Sequence, residues 1–235
     1  MNNLSGDLNT RYKLLGKVED LNEAIFLDRD TLERHSDRSM SLNNLTIDLG
    51  TRYELLGGVG DLDGAILLDR DALALCLSGH PDRSHFLNNL ALHLHARYDL
   101  LGGVGGLNEA ILLDRDALAL RQPGYPYRPM SLNNLAVDLK TRCDLLEKAG
   151  DPNEAILLDR DALAFRLPGH LDRSQSLNSL AVDLSTRYQL LRGVEDLNEA
   201  ILLDRDALAF RSQGHPDQYE FLNNLALISA LGTNW

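Results

Sequence analysis

A single segment recurs along the whole sequence at a spacing of 45 residues. Its clearest copy is LNNLALHLHARYDLLGGVGGLNEAILLDRDALALR, which runs from Leu87 to Arg121. Self-similarity at a period of about 20–50 residues indicates a repeat architecture, in which each unit packs on its neighbours. This feature therefore constrains the fold more than any other. The opening leucine of the segment stands at Leu42, Leu87, Leu132, Leu177 and Leu222, and Met1 begins a further copy of 41 residues.

The repeats define the predicted domain organisation. Although 235 residues would ordinarily suggest one or two globular domains, units that pack on their neighbours form one elongated domain. Both ends lack a polar capping unit, so we expect either a piece of a longer array or ends that associate with another copy. We predict a single domain over 1–235, with units at 1–41, 42–86, 87–131, 132–176 and 177–221 and a half unit at 222–235.

The first helix of each unit is predicted from its apolar residues. They recur at steps of three and four, which is typical of one buried stripe on a helix, here about 20 residues long. Gly102 and Gly103 tolerate a left-handed turn and end this helix in the third copy. The stripe in that copy consists of Leu87, Leu90, Ala91, Leu94, Tyr98 and Leu101.

The second helix is predicted to be shorter, at roughly 14 residues. Its start is clearest at Asp151, an acidic N-cap that is followed by Pro152 in the first helical position and by Glu154, which completes a capping box. It ends before Pro168-Gly169. No strand-like alternation occurs, so the sequence predicts an all-α fold of stacked antiparallel helix pairs, with five pairs and one terminal helix.

The charge balance and the cysteines narrow the class of protein. A formal net charge of -12 argues against a nucleic-acid partner, because phosphate binding needs a concentrated basic surface. No apolar run approaches the roughly 20 residues that cross a bilayer, and no signal peptide follows Met1. We therefore predict a cytoplasmic protein with no membrane partner, in which Cys76 and Cys143 are buried thiols.

We find no motif of catalytic or metal-binding chemistry. His93 and His95 are two residues apart on a helix and cannot face one metal ion, and no zinc-type cysteine spacing occurs. The glycine-rich segment 102–106 has no preceding strand and no phosphate-loop lysine, so we expect a turn between helices. We predict no cofactor, no metal and no enzymatic activity.

Several short motifs carry a family resemblance. The segments GDLDGAI at 60–66 and EDLNEAI at 195–201 lead into the second helix, where alanines stand seven residues apart, as at Ala110 and Ala117. The first helix opens with LNNLA, and a GHPD turn precedes it at 79–82. These motifs resemble tetratricopeptide repeats (TPRs) of the kinesin-light-chain type over essentially the whole chain. A period of 45 residues would by itself also suit HEAT-type repeats.

The resemblance implies a right-handed α-solenoid whose first helices line a concave groove. The sequence departs from the family in two ways. RYDLL and its equivalents add about two turns to the first helix, as in the long units of large fungal TPR arrays that are joined to NTPase or caspase-like protease domains. An aspartate also stands where the family usually buries an aromatic residue, at Asp69, Asp114, Asp159 and Asp204.

One side of the first helix carries the predicted binding residues. At about 100° per residue, Asn88, Leu92, His95 and Asp99 share a stripe away from the buried leucines, and in TPR arrays this side lines the groove. The asparagine recurs in every copy, and its carboxamide can both donate to and accept from the backbone of an extended peptide. The residue at the position of His95 varies, as Asn9, Gly50, His95, Lys140 and Ser185, and would read the peptide's side chains. The predicted ligand-binding residues are Asn43, Asn44, Asn88, Asn89, Asn133, Asn134, Asn178, Asn223, His95 and Lys140.

Two interpretations of the polar residues remain open. The asparagines could instead bond neighbouring repeats or water. The repeated arginines of the first helix and the Asp69-Arg70-Asp71 segments of the second predict Arg-to-Asp pairs across helices or repeats, with a solvated charged face as the alternative. The arginines concerned are Arg52, Arg97, Arg142 and Arg187.

The function predicted from these patterns is that of a non-enzymatic scaffold. The chain would bind an extended peptide or a partner protein along the groove. Two alternatives are a structural spacer whose uncapped ends self-associate, and a sensor region for a catalytic domain elsewhere on a larger protein.

Overall fold

The computed structural model describes residues 4–34, 38–146, 150–170, 172–209, 222–224 and 226. All regular secondary structure in these ranges is α-helical, which confirms the predicted fold class. The predicted terminal helix and the shortened return loop at 35–37 lie largely outside the described residues. The helices are α1 (Leu4–Leu15), α2 (Val18–Arg34), α3 (Arg38–Leu56), α4 (Val59–Leu75), α5 (Arg83–Leu101), α6 (Val104–Leu120), α7 (Arg128–Leu146), α8 (Gly150–Phe165), α9 (Arg173–Leu191) and α10 (Val194–Ala209).

The helices pack in the order in which they occur along the chain, in two compact units at Met1–Leu120 and Arg121–Trp235. In the first unit α1 packs on α2, α3 on α4 and α5 on α6, while α2–α3 and α4–α5 contacts join successive repeats. In the second unit α7 packs on α8 and α9 on α10, and α8 packs on α9. Each unit therefore consists of stacked helix pairs, and a single domain over 1–235 stays a prediction.

Four first helices, α3, α5, α7 and α9, have close to the predicted length and most of the predicted core, whereas α1 has 12 described residues. Helix α5 has 19 residues, and Leu87, Leu90, Ala91 and Leu94 are all buried. The extension of the stripe to Leu101 was wrong, because this side chain is 56% exposed. Leu101 lies in the last turn of α5, beside the short loop where the partner helix has only just begun.

The turns between paired helices are left-handed at one position. Gly16, Gly57 and Gly102 take φ of 68°, 70° and 72° there, and Arg192 takes φ of 60° in the fifth repeat. The second helices have 16 or 17 residues, more than the predicted 14, because they start before the predicted acidic N-cap. In α8, for example, Asp151 is the second helical residue.

An ion pair ties each of four first helices to its partner helix. Arg52 donates from Nε and Nη2 to the two carboxylate oxygens of Asp61, at 2.7 and 2.5 Å. The predicted Arg-to-Asp pairing is therefore confirmed, but the acid is the one at the start of the second helix, not Asp69, which is buried. The same pairing joins Arg11 to Asp20, Arg142 to Asp151 and Arg187 to Asp196.

Charged side chains also join successive repeats. In the third repeat Gly106 stands where an aspartate would be, and Arg97 instead reaches back to Asp63 of the preceding repeat at 2.9 Å. The second helices are linked as well, since Arg70 donates to Glu109 and Arg160 donates to Glu199, at 3.0 and 2.7 Å. These pairs lie at the surface and contribute about 0–1 kcal/mol each.

Small residues and buried thiols complete the core. The alanines seven residues apart, such as Ala110 and Ala117, have no exposed surface, so paired helices approach closely there. Cys76 and Cys143 are free and buried, as predicted, and burial raises the pKa of both thiols.

The described helices include none that is long and apolar enough to cross a membrane. The second helices each expose one apolar side chain at the same position, at Phe26, Leu67, Leu112, Leu157 and Leu202.

Candidate functional site

Successive first helices meet at one recurring pair of positions. Asn9 of the first repeat donates its Nδ2 hydrogen to Asp48 of the second. At the next interface Gly50 lies beside His93, and a methyl group at Gly50 would be 2.6 Å from His93 Nε2. Asn9 and Gly50 had been predicted to read ligand side chains. At these two interfaces the residue contacts the next repeat, and its contact with a ligand stays a prediction.

Each second helix buries an aspartate at the same repeat position, and we call this set the row of buried aspartates. In the first unit, Oδ2 of Asp69 is 2.7 Å from Nδ1 of His93 on the next repeat. Burial raises the pKa of Asp69, and the hydrogen bond with His93 opposes the rise. The imidazole thus supplies a partner that a carboxylate needs inside a protein. The row, in which each residue is at most 4% exposed, consists of Asp28, Asp69, Asp114, Asp159 and Asp204.

In the second unit the partner of the buried aspartate is another acid. Asp183 occupies the repeat position of His93 and faces Asp159, and the two are 3% and 1% exposed. Burial raises the pKa of Asp159 to about 7 and holds that of Asp183 well above its usual value. Two adjacent carboxylates in a desolvated site do not both ionise readily, so the pair shares a proton near neutral pH.

The asparagine ladder contacts both the buried aspartates and the next repeat. Asn88 is buried and donates from Nδ2 to Oδ1 of Asp114 at 2.6 Å. Asn133 makes the equivalent, longer contact of 3.5 Å with Asp159. In these two repeats the first asparagine of the opening therefore holds the aspartate of its own repeat.

The second asparagine of an opening bonds the first asparagine of the preceding repeat. Asn89 donates to Asn43, and Asn224 donates to the buried Asn178, both at 3.1 Å. These contacts agree with the alternative that the ladder bonds neighbouring repeats. The remaining asparagines, Asn44, Asn134 and Asn223, are half-buried or exposed, and their contact with a peptide stays a prediction.

The two varied residues of the predicted site are half-buried on their helices and contact an acid one turn away. His95 Nε2 lies 3.4 Å from Asp99, and Lys140 Nζ lies 2.6 Å from Asp144. Pairs of this kind between residues four apart stabilise a helix only slightly, by about 0.3–0.5 kcal/mol. The pair with Asp144 therefore holds Lys140 only weakly.

A cleft of about 280 Å³ lies between α7 and α9 and combines several of these residues. Its floor includes the Asp159–Asp183 pair, and its walls mix valines with carboxamide and hydroxyl groups. We call it the α7–α9 cleft. It is lined by Ala136, Val137 and Lys140 from α7, by Gln175, Asn178, Ser179, Val182 and Asp183 from α9, and by Asp159 and Asn224.

The structure thus brings Lys140 and Asn178 of the predicted site together in one cleft. Sequence reasoning missed Asp159 and Asp183 as possible site residues. Their signal was an aspartate on the buried side of an amphipathic helix, which indicates either a structural pair or a functional group. It could not be interpreted further, because the partner of each acid lies on a different repeat.

Comparison with known proteins places the fold. No protein-family model and no curated protein matches this sequence. The chain is similar to the nearly identical TPR-like repeats of a Podosopora anserina protein assigned as a kinesin light chain, with a TM-score of 0.62 and 22% identity over 86% of this chain and 90% of that chain. It is also similar to BtubC (BKLC) from P. vanneervenii, with a TM-score of 0.59 and 18% identity over 92% of this chain and 83% of that chain.

These similarities agree with the helix pairs in both units and with the resemblance in the LNNLA and EDLNEAI motifs. At identities of 18–22% they establish the fold. The chain has the all-α fold of TPR-like repeat arrays.

Proposed function

We propose that this chain is a non-enzymatic scaffold that binds an extended segment of a partner protein along its first helices. TPR-like folds are commonly protein-interaction scaffolds. The observation that supports a peptide ligand is the α7–α9 cleft, which lies between first helices of successive repeats.

The lining of the cleft suits a peptide. Val137 and Val182 offer apolar contact, and the hydroxyl and carboxamide groups of Ser179 and Gln175 offer hydrogen bonds to a main chain. Pockets with apolar walls and a few placed polar groups are the usual form of ligand sites in proteins. Lys140, which is held only by an exposed acid one turn away, can move to admit a ligand.

Selection from a library of random peptides displayed on phage tests this proposal. We expect an enriched family of peptides that bind the purified chain and compete with one another. Val137→Lys should weaken their binding at least about tenfold, since a new positive charge in the apolar wall costs more than about 1.4 kcal/mol. The matched control is Leu157→Lys, which changes a 65% exposed residue on the second helix and should leave affinity unchanged.

Two results would contradict the proposal. One is a failure to enrich any peptide family, and the other is an equal effect of the two lysine variants. Sedimentation velocity on the same proteins tests the self-association alternative. A sedimentation coefficient that rises with concentration, and that Val137→Lys does not change, would favour a self-associating array over a peptide-binding scaffold.

A further inference from the structure

The carboxyl oxygens at the floor of the α7–α9 cleft can accept more hydrogen bonds than the protein donates to them. We propose that the cleft receives an arginine or lysine side chain of the bound peptide and places its cationic group against Asp159 and Asp183. This inference rests on the proposed function, because it specifies which peptides the scaffold takes.

The first argument is the state of the two carboxyl groups. Asp159 Oδ2 and Asp183 Oδ2 are buried and accept no hydrogen bond from another group of the described structure, so the proton that the pair shares is the one donor available to them. A buried polar atom without a donor is costly, and a guanidinium or ammonium group can supply several donors at once. No cluster of three or more metal-ligating side chains is found among the described residues, so an organic cation fits better than a metal ion.

The second argument is the equivalent place in the first unit. There the chain's own imidazole, His93, lies within 2.7 Å of the buried Asp69, and the space it needs is provided by Gly50. This interface shows that the position accepts a basic nitrogen beside the buried aspartate. In the second unit Asp183 replaces the histidine, and a cleft is present at the same location.

The third argument concerns the charges that surround the pair. Lys140 of α7 is engaged with Asp144 at 2.6 Å, and Arg166 at the end of α8 donates to the hydroxyl of Ser176. Asn133 is the neutral donor that faces Asp159. Neither basic side chain donates a hydrogen bond that neutralises the pair. A cationic ligand also suits a chain whose net charge is -12.

A proton competes with the ligand for the same place. Burial raises the pKa of Asp159 to about 7 and that of Asp183 well above its usual value, so the pair holds more protons below neutral pH than above it. The affinity for a cation should therefore rise between pH 6 and pH 8.

The test uses small probes and the full chain. N-acetyl-arginine amide and its neutral isostere N-acetyl-citrulline amide are titrated at pH 7.5 into isotopically labelled protein. We expect the arginine probe to shift the backbone resonances of Lys140, Val182 and Asp183 in a saturable manner, and the citrulline probe to cause no such shift. Equal shifts from both probes, or arginine shifts elsewhere only, would overturn the proposal.

Variants of the cleft sharpen the test. Asp183→Asn places an amide donor against Asp159 and should weaken arginine binding at least fivefold, whereas Lys140→Met removes a competing charge and should strengthen it about twofold. The matched control is Asp161→Asn, the same change at an exposed acid on α8, which should have no effect. An equal effect of Asp183→Asn and Asp161→Asn would overturn the proposal.

A double variant transfers the arrangement of Gly50 and His93 in the first unit to the equivalent positions of the second unit. Lys140→Gly with Asp183→His should let the chain's own imidazole occupy the place beside Asp159 and abolish arginine binding. Retained binding would contradict the proposal, and Asp183→Asn decides the matter if the double variant does not fold. If phage selection yields cleft-binding peptides without a required basic residue, this inference fails while the proposed scaffold function stands.

Discussion

The Nδ1 atom of His93 lies 2.7 Å from Oδ2 of Asp69, across the interface between α5 and α4. Both side chains are buried, and the contact joins two successive repeats. At the equivalent positions of two other interfaces, Asp48 lies near the buried Asp28 and Asp183 near the buried Asp159. The identity of one residue on the first helix therefore determines whether an interface contains an imidazole–carboxylate pair or two carboxyl groups.

Removal of the imidazole should destabilise the first unit. His93→Ala leaves the buried Asp69 without its closest basic partner and opens a cavity, so we expect a loss of about 2–4 kcal/mol in the free energy of unfolding. Urea denaturation at pH 7 measures it. The control is His95→Ala, two residues away and half-buried beside an exposed acid, which should cost less than about 1 kcal/mol. Equal losses in the two variants would show that the His93–Asp69 contact has no special role.

Gly50 should resist a substitution that helices normally favour. A glycine-to-alanine change inside a helix stabilises it by about 1 kcal/mol. At Gly50, however, the new methyl group would lie 2.6 Å from His93 Nε2, and His93 is held in place by Asp69. We expect Gly50→Ala to lower the melting temperature, whereas Gly105→Ala in α6, where nothing lies within 4 Å, should raise it. A higher melting temperature for Gly50→Ala would mean that His93 moves aside freely.

The buried aspartates should make the protein less stable as the pH rises. Burial raises the pKa of Asp48 to about 6 and that of Asp159 to about 7, against about 3.9 in an unfolded chain. Between these values the folded protein holds protons that the unfolded chain releases, so increasing pH favours unfolding. The stabilisation from protonation is complete below about pH 4 and is lost as the pH passes through 6 to 7.

Urea denaturation between pH 5 and pH 8 checks this dependence. We expect the free energy of unfolding to fall by a few kcal/mol over that range, and Asp159→Asn to reduce the fall. The exposed Asp161 provides the control, because Asp161→Asn should leave the slope unchanged. Greater stability at pH 8 than at pH 5 would contradict the prediction. Below pH 4 an opposite effect enters, since the Arg11 guanidinium lowers the pKa of Asp20 and their ion pair is lost as that carboxylate is protonated.

The helix pairs were predictable because they depend on local spacing. The three- and four-residue steps identified the core positions Leu87 to Leu94, and Gly102 marked the left-handed turn. The exposure of Leu101 was not predictable from the same pattern, since it depends on where the partner helix starts. Local periodicity thus gives the buried face of a helix but not the distance over which a neighbour covers it.

The site was only partly predictable because its contacts run between repeats. The sequence identified the asparagines and Lys140, but the groups that donate hydrogen bonds to Asn43 and Asn178 belong to the next repeat. The pairing of Asp159 with Asp183 also requires the stacking register, which no pattern within one repeat contains. Because the repeats are so similar, the sequence alone did not reveal which residues change together on the two sides of an interface.

A missing acid in the third repeat offers a route to higher stability. Four repeats join an arginine of the first helix to an aspartate at the start of the second, but Arg97 has Gly106 at that place. A Cβ atom at Gly106 meets only an ordinary contact, 3.7 Å from the Leu94 carbonyl oxygen. We expect Gly106→Asp to raise the free energy of unfolding by about 1 kcal/mol through helix propensity and a new ion pair.

Gly106→Asn separates the two contributions, because it keeps the side-chain size and removes the charge. Chemical denaturation at low and high salt should show that the aspartate variant alone loses part of its gain in salt. Identical unfolding free energies for the two variants at low salt would show that Arg97 does not exchange Asp63 for the new carboxylate.

The return loops contain a coupled exchange of two residues. In the second unit a buried arginine donates to a serine hydroxyl, as Arg121 does to Ser131 at 2.6 Å. At the equivalent positions of the first unit, Cys76 and Phe86 are 1% exposed and pack in one apolar cluster. A long basic residue beside a small polar one is thus replaced by a small residue beside an aromatic ring.

Because each pair fills its site only as a pair, the single changes should be far worse than the double change. Cys76→Arg would bury an unpaired charge against Phe86, and Phe86→Ser would leave a cavity, each costing about 3–5 kcal/mol. Together they recreate the arginine–serine contact, so the double variant should lie within about 2 kcal/mol of the wild type. The double-mutant cycle, measured by urea denaturation, should give a favourable coupling of more than about 2 kcal/mol. Additive losses would mean that the surrounding loop, and not the residue pair, determines which side chains the site accepts.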